Sequence, residues 1–310
     1  MPAVNDIGKH KVLFYSHCFF LALVAFICLL FSFQEPTLIN QAVDRAVAVN
    51  LNNTSAINSF TIQMTHLFVV QHLDRETPGL FEDLAQQHGM AVHVIRVDLG
   101  EPLPSLVKGD GLLVLGGPMG VADLYKPAFP WLEDEVLLIQ QALENQIPFV
   151  GVCLGAQLLA HACGGGVEPL LGGDPPRPLA EVGWAPITST LEAGNQSVIR
   201  SLIQPLDVLH WHGDRIILPE TANVLASSVR CREQLFRIGP LAYGLQFHLE
   251  VEDEDVFRWI AEDNDFICAA LGDNAAAILR DQQHLYSSSS RPRRLKLLSD
   301  LFRELWPSHF

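Results

Sequence analysis

Paired cysteines are missing from this chain. Cys18, Cys28, Cys153, Cys163, Cys231 and Cys268 are scattered without C-x-x-C spacing, which argues against a disulfide framework or a zinc knuckle and favours a reducing compartment. Positive charge is also scarce. Twenty Lys and Arg stand against 35 Asp and Glu, a net charge of −15, and such a surface repels phosphate backbones, so nucleic acid is not an expected partner. The imbalance lies wholly beyond residue 63, because Asp6, Lys9, Lys11, Glu35, Asp44 and Arg45 cancel one another. Only 18% of residues are charged and 49% are hydrophobic. That composition is that of a folded globular body, long enough for one large or two modest domains.

What is present begins with an apolar run. Val12 to Phe33 contains no Asp, Glu, Lys or Arg over 22 residues, enough to span a bilayer as a helix. Lys9 and Lys11 before it would hold the N-terminus in the cytoplasm and export the remainder. That places a reduced-cysteine domain on the wrong side. The alternatives are a start of translation at Met64, which opens the apolar strand Met-Thr-His-Leu-Phe-Val-Val after a polar linker at 50–61, or a signal peptide cleaved far downstream near Ala46-Val47-Ala48. The expected organisation is an extension at 1–63, a main domain at 64–255 and a helical extension at 256–310. The main domain would be cytoplasmic, and membrane-anchored only if residues 12–33 are made and inserted.

From Met64 the pattern alternates. Leu67–Val70 and Ala91–Val97 are β-rich runs flanking helical spacing at Pro78–His88; Leu112–Leu115 is a buried strand ending in Gly116-Gly117-Pro118. Trp131–Asn145 predicts a helix buried along Leu132, Val136, Leu137, Ile139 and Leu143, and Ile147–Val152 is the next strand. Strand and helix in alternation at these distances predict an α/β fold with a doubly wound, mostly parallel sheet flanked by helices. Further strands are expected at Glu181–Thr190, Val208–His212, Val224–Ser228 and Ala242–Glu250. Acidic helices should follow, with a linker at Ser287–Ser290 before a last helix at Leu295–Leu305.

The chemistry is organised around Gly151-Val152-Cys153-Leu154-Gly155. A nucleophile on a sharp strand-to-helix turn needs small residues two positions to either side, and this is that elbow with cysteine in place of serine. The helix after it, Leu154–Ala162, would aim the positive end of its dipole at the sulfur. Gly117 lies on a tight loop at the end of a parallel strand, the edge where ligands sit. Beside an elbow, its N–H and that of Leu154 form a candidate oxyanion hole. His248 and Glu250, two apart on an extended run, can leave one face together, so that a carboxylate orients the base a thiol requires. His210 and His212 have the spacing to share a metal, yet no third ligand shows recognisable spacing. A loop contacting substrate is the better reading of this stretch, and no metal or cofactor is expected.

Taken together, Gly116-Gly117-Pro118, Gly151-x-Cys153-x-Gly155-x-Gln157, Glu181-Val182-Gly183-Trp184, Trp211-His212-Gly213-Asp214 and Gln246-Phe247-His248-x-Glu250 resemble the class I glutamine amidotransferases, especially the glutaminase domain of GMP synthase. The order of motifs is the family's, and the resemblance covers Met64 to about Glu250. Leu249 departs from it, standing where proline is frequent. The resemblance implies Cys153 as nucleophile, His248 as base and then acid, Glu250 as its orienting partner, Gly117 and Leu154 as oxyanion donors, and Gln157 as a contact for the amino-acid end of the substrate. It implies hydrolysis of the γ-amide of glutamine through a γ-glutamyl thioester. The 60 residues after Glu250 are too few for a synthetase domain, so ammonia would go to an acceptor on a separate chain. Two other functions compete: a stand-alone hydrolase of γ-glutamyl peptides or conjugates, and a binding protein without catalysis.

Overall fold

The computed structural model describes residues 65–191, Gly194 and 198–310. The apolar run at 12–33 and the linker after it lie outside the described residues. Within the described residues no helix is long and apolar enough to cross a membrane. The described residues form one compact unit.

Its centre is a nine-stranded sheet among the described residues. Strands β1 (His66–Gln71), β2 (Ala91–Arg96), β3 (Gly111–Val114), β4 (Phe149–Val152) and β13 (Ala242–Leu245) form its parallel half, in the order β2-β1-β3-β4-β13. Every residue of β3, β4 and β13 is buried. This is why they read as unbroken apolar runs rather than as alternation: helices cover both faces. Strands β12 (Leu235–Ile238), β11 (Ala222–Ser227), β8 (Glu181–Ser189) and β9 (Leu206–His212) extend the sheet antiparallel from β13. Short strands β5 (Gly166–Pro169) and β10 (Asp214–Ile217) make a separate ribbon, as do β6 (Leu171–Gly172) and β7 (Arg177–Pro178). The fold is therefore α/β, with a large sheet whose parallel half carries the crossover helices α1 (Leu80–Gln87), α2 (Trp131–Glu144) and α3 (Leu154–Ala162).

Three expectations change. Helix α2 buries Leu132, Glu135, Leu138, Ile139 and Ala142, while Leu137 is more than half exposed. The buried stripe is rotated from the expected one, because a carboxylate that looked like a surface residue has a buried partner, His72. Second, the last strand stops at Leu245. Beyond it the backbone changes partner, the Gln246 amide donating to the Gln234 carbonyl and the His248 amide to the Leu209 carbonyl at 2.8 Å each, so His248 sits on an isolated bridge to β9. Third, Ser287–Ser290 is no linker. It lies inside a single 31-residue helix, α6 (Ala275–Leu305), with Ser287 and Ser290 on its buried side. The hydroxyl of Ser287 donates to Asp253 at 2.5 Å, and those of Ser289 and Ser290 donate to carbonyls in the preceding turn. Serines that satisfy themselves this way do not break a helix. Helices α4 (Asp253–Glu262) and α5 (Asn264–Leu271) precede α6 and pack with it over β8 and β9 through Trp211, Trp259, Ile260, Ile267 and Leu279.

Candidate active site

Cys153 caps helix α3 with φ 49° and ψ −102°, a left-handed conformation that costs a non-glycine residue about 1–3 kcal/mol. The turn is held from both sides. The Cys153 amide donates to the Leu245 carbonyl at 2.7 Å, and the Gly155 amide to the Leu115 carbonyl at 3.2 Å. A Cβ at Gly151 would stand 2.4 Å from the Gly155 carbonyl group, and one at Gly155 would stand 2.0 Å from the Val114 oxygen. Both glycines are therefore demanded by close backbone approach, as the elbow requires.

The second half of the site arrives on the segment after β13. His248 and Glu250 are both buried, and His248 Nδ1 lies 2.6 Å from Glu250 Oε1. His248 and Cys153 line the same cavity, and both stand next to Gly116. Burial alone would push the His248 imidazole down, but the Glu250 charge and hydrogen bond, with the influence of Cys153 nearby, outweigh it and hold the group well above its ordinary value. The ring stands edge-on to Trp259, centroids 4.8 Å apart.

Glu250 is itself fixed by its backbone. The Leu80 amide, at the start of α1, donates to the Glu250 carbonyl at 3.0 Å. Gly79 makes this approach possible: its φ is 44°, and a Cβ there would lie 2.2 Å from that oxygen. On the far side, the buried guanidinium of Arg294 donates to the carbonyls of Leu249 and Val251 at 2.9 and 2.8 Å. Burial pulls Arg294 down to about 10 despite Glu252 and Glu250 nearby. The residue is thus charged at neutral pH and clamps the carbonyls of the two residues on either side of Glu250.

A cavity of about 360 Å³ opens beside the sulfur, lined by Glu76, Gly117, Cys153, Gln157, His212 and Trp259 among others. Its volume lies within the roughly 300–1,000 Å³ of small-molecule sites. The amides of Gly117 and Leu154 donate to no backbone carbonyl among the described residues. Gln157 is buried on the first turn of α3, its amide 3.5 Å from Gln246 Oε1, and the Gln246 amide lies 3.6 Å from the Cys153 sulfur. His212 reaches the cavity with both ring nitrogens already engaged, Nδ1 with the Asp214 carbonyl at 2.8 Å and Nε2 with Glu181 at 3.2 Å.

Behind that wall, Glu181, His210 and His212 bring ligating atoms within 4.8 Å of one another. The third residue that spacing along the chain did not offer is Glu181, delivered by the register of β8 on β9, which sets Glu181 opposite His212. Its carboxylate already accepts from Ser228 and Gln234 at 2.6 Å each. Burial would raise Glu181, but the bond from His212 and the histidine charges outweigh it and lower the group. Burial drives His210 down to about 4. The cluster is a hydrogen-bonded wall joining the two strands.

Sequence reasoning assigned no role to Glu76, His72, Glu135, Gln246 or Arg294. Glu76 is buried against the Gly116 loop. Its carboxylate oxygen lies 2.3 Å from where a Cβ on Gly116 would stand, next to His248 and Cys153, and it has no hydrogen-bonding partner among the described residues. Burial raises it above the ordinary carboxylate range, with His248, Arg75 and His72 offsetting part of the effect. The sequence signal for it was a charged pair, Arg75-Glu76, in the loop leaving β1 at the ligand edge of the sheet.

The family model described as glutamine amidotransferase class-I matches residues 54–256. The glutamine amidotransferase-like protein YfeJ of Salmonella typhimurium is 34% identical over 192 residues, covering 61% of this chain and 77% of that protein. One subunit of the glutamine-hydrolyzing GMP synthase of Halobacterium salinarum is 29% identical over 203 residues, covering 63% of this chain and 96% of the subunit. The chain spans only 25% of the longer GMP synthase of Pseudomonas putida, to which it is 31% identical. Among solved structures, a glutamine amidotransferase from Thermotoga maritima superposes with a TM-score of 0.65 at 27% identity, covering 78% of this chain and 98% of that one.

Proposed function

The chain belongs to the class I glutamine amidotransferase family, and on that premise we propose that it hydrolyses the γ-amide of glutamine through a Cys153–His248–Glu250 triad. One observation carries this reading. A cysteine in a strained elbow lines one cavity with a histidine whose Nδ1 lies 2.6 Å from a buried carboxylate, and Gly117 and Leu154, whose amides donate to no backbone carbonyl among the described residues, line that cavity too.

In this reading Cys153 Sγ attacks the γ-carbonyl carbon, and the oxygen gains negative charge between the Gly117 and Leu154 N–H groups. As the tetrahedral centre collapses, His248 donates its proton to the departing nitrogen and ammonia leaves. Cys153 is left as a γ-glutamyl thioester. Water then adds to the thioester as His248 takes its proton, the C–S bond breaks, and glutamate departs with the thiolate and imidazolium restored. Glu250 holds the ring and stabilises its charged form throughout. Gln157 would hold the amino-acid end of the substrate, with His212 shaping the wall rather than donating from its ring.

Ammonia released here would pass to an acceptor on another chain, as the likeness to a separate GMP synthase subunit suggests. A second reading is favoured by the aromatic wall of Trp211, Trp259 and Phe266, which offers an apolar surface to a leaving group larger than ammonia, as in a γ-glutamyl peptide. Steady-state assays with glutamine and with γ-glutamyl dipeptides separate the two. Slow glutamine turnover that rises with a copurified partner supports the first, and fast dipeptide cleavage by the isolated protein supports the second. No turnover of either substrate would contradict the triad reading itself.

A further inference from the structure

His72 lies at the end of β1 and is buried, as is Glu135 on α2. Its Nδ1 stands 2.7 Å from the Gly116 carbonyl oxygen, and its Nε2 stands 3.1 and 2.9 Å from the two oxygens of Glu135. A carbonyl only accepts, so Nδ1 carries a hydrogen and donates it. Glu135 fixes the ring from the opposite side, in the way a carboxylate orients a histidine in a metal site or a triad.

The carbonyl that His72 holds belongs to the Gly116–Gly117 peptide, whose nitrogen bears one of the two oxyanion donors. A trans peptide is planar, with its C=O and N–H pointing in opposite directions. Fixing the Gly116 oxygen therefore fixes where the Gly117 N–H points. This peptide is soft by composition. Turning it over changes ψ at Gly116 and φ at Gly117, and glycine accepts nearly any value of either. Larger residues are excluded here for steric reasons: a Cβ at Gly116 would stand 2.3 Å from Glu76, and one at Gly117 would press on His72 and Leu154 at 3.1 Å each. The glycines that let the loop fit against the site also leave its key peptide free to turn.

We propose that His72, held by Glu135, is a positioning residue that locks the Gly116–Gly117 peptide with its N–H toward the developing oxyanion. The proposal rests on the catalytic reading above, with Gly117 as a donor. It gives a buried polar pair, which is costly to keep, a task that packing does not explain. Burial pulls the His72 imidazole down, yet the Glu135 charge and hydrogen bond and the Gly116 carbonyl together raise it, and the Nδ1–H facing Gly116 is present in the neutral ring as well as in the charged one.

Two near-isosteric variants test the lock. In H72N the shorter side chain would place an amide N–H near the position of Nδ1 and lose Glu135; in H72Q the longer one would reach Glu135 and lose the donor to Gly116. The expected result is a crossover. H72Q should keep most of its thermal stability and lose about 10²-fold in kcat, the cost of one oxyanion donor, with little change in KM. H72N should melt lower and retain far more of its kcat. Alkylation of Cys153 by iodoacetamide forms no oxyanion, so its rate should be the same in H72Q and wild type. A crystal structure of H72Q should show the Gly116 carbonyl turned from its present direction. The lock is overturned if H72Q matches wild type in kcat, if activity in both variants simply follows melting temperature, or if the peptide keeps its orientation in H72Q. Those results leave the triad standing, because only an inactive wild type would remove both.

Discussion

Gly155 lies so close beneath Val114 that a Cβ on it would stand 2.0 Å from the Val114 carbonyl oxygen. Strand β3 and the first turn of α3 meet there without a side chain between them, and the contact sets how far Cys153 projects above the sheet. Gly155→Ala should therefore force strand and helix apart. Overpacking of this kind costs about 1–3 kcal/mol or more, or upwards of about 2 °C in Tm for a domain of this size. Thermal unfolding and the iodoacetamide labelling rate of Cys153 should both change. An unchanged Tm would mean that the elbow is less constrained than its geometry shows.

Glu250→Gln removes the charge that holds His248 well above its ordinary value. The sign is definite: without that charge the imidazolium loses its proton at lower pH. The alkaline limb of the pH profile of kcat/KM should move toward neutrality, and kcat should fall without vanishing. A profile identical to wild type would rule out Glu250 as the partner that sets the ring's charge.

Arg294→Met tests whether the Glu250 backbone is held from behind. It leaves the Leu249 and Val251 carbonyls without their buried donor, at about 1–3 kcal/mol each. Tm should drop, and the alkaline limb should shift in the same direction as in Glu250→Gln. A loss of stability with an unmoved pH profile would make Arg294 a packing residue only.

Glu76→Gln should stabilise the protein. Burial raises the folded pKa of Glu76 above its unfolded value, so the wild type is favoured at low pH and loses stability as pH rises through that folded value. The glutamine variant carries no such loss. Its Tm should exceed wild type at pH 8 by at least about 2 °C, the shift expected for about 1 kcal/mol, and the difference should close as the pH falls to the ordinary carboxylate range. Turnover should fall, because a carboxyl kept at a cost beside the sulfur has a role there. A Tm difference independent of pH would contradict this effect of its burial.

Much of this was legible in the chain because the parallel half of the sheet advertises itself. β3 and β4 are short apolar runs, the first leading into Gly116-Gly117 and the second into the Cys153 turn, and α3 follows Cys153 with the bounds that its pattern predicts. What stayed hidden depended on partners distant in sequence. Glu135 reads as the polar face of α2 until His72 arrives from β1, and Ser287–Ser290 reads as a linker until Asp253 accepts from it. His248 and Glu250 do meet, although the run carrying them leaves the sheet after Leu245 and is held by β9, α1 and Arg294 instead. Local pattern carries the backbone of the site well. Buried polar pairs come from tertiary contacts and leave little periodic trace.

The most direct measurement of the catalytic role of Cys153 is intact-mass spectrometry of the protein acid-quenched during turnover of glutamine. The expected product carries the added mass of one γ-glutamyl group, mapping to the peptide that contains Cys153, sensitive to hydroxylamine and missing from Cys153→Ala. Turnover at the wild-type rate by Cys153→Ala, or an adduct on any other residue, would contradict it.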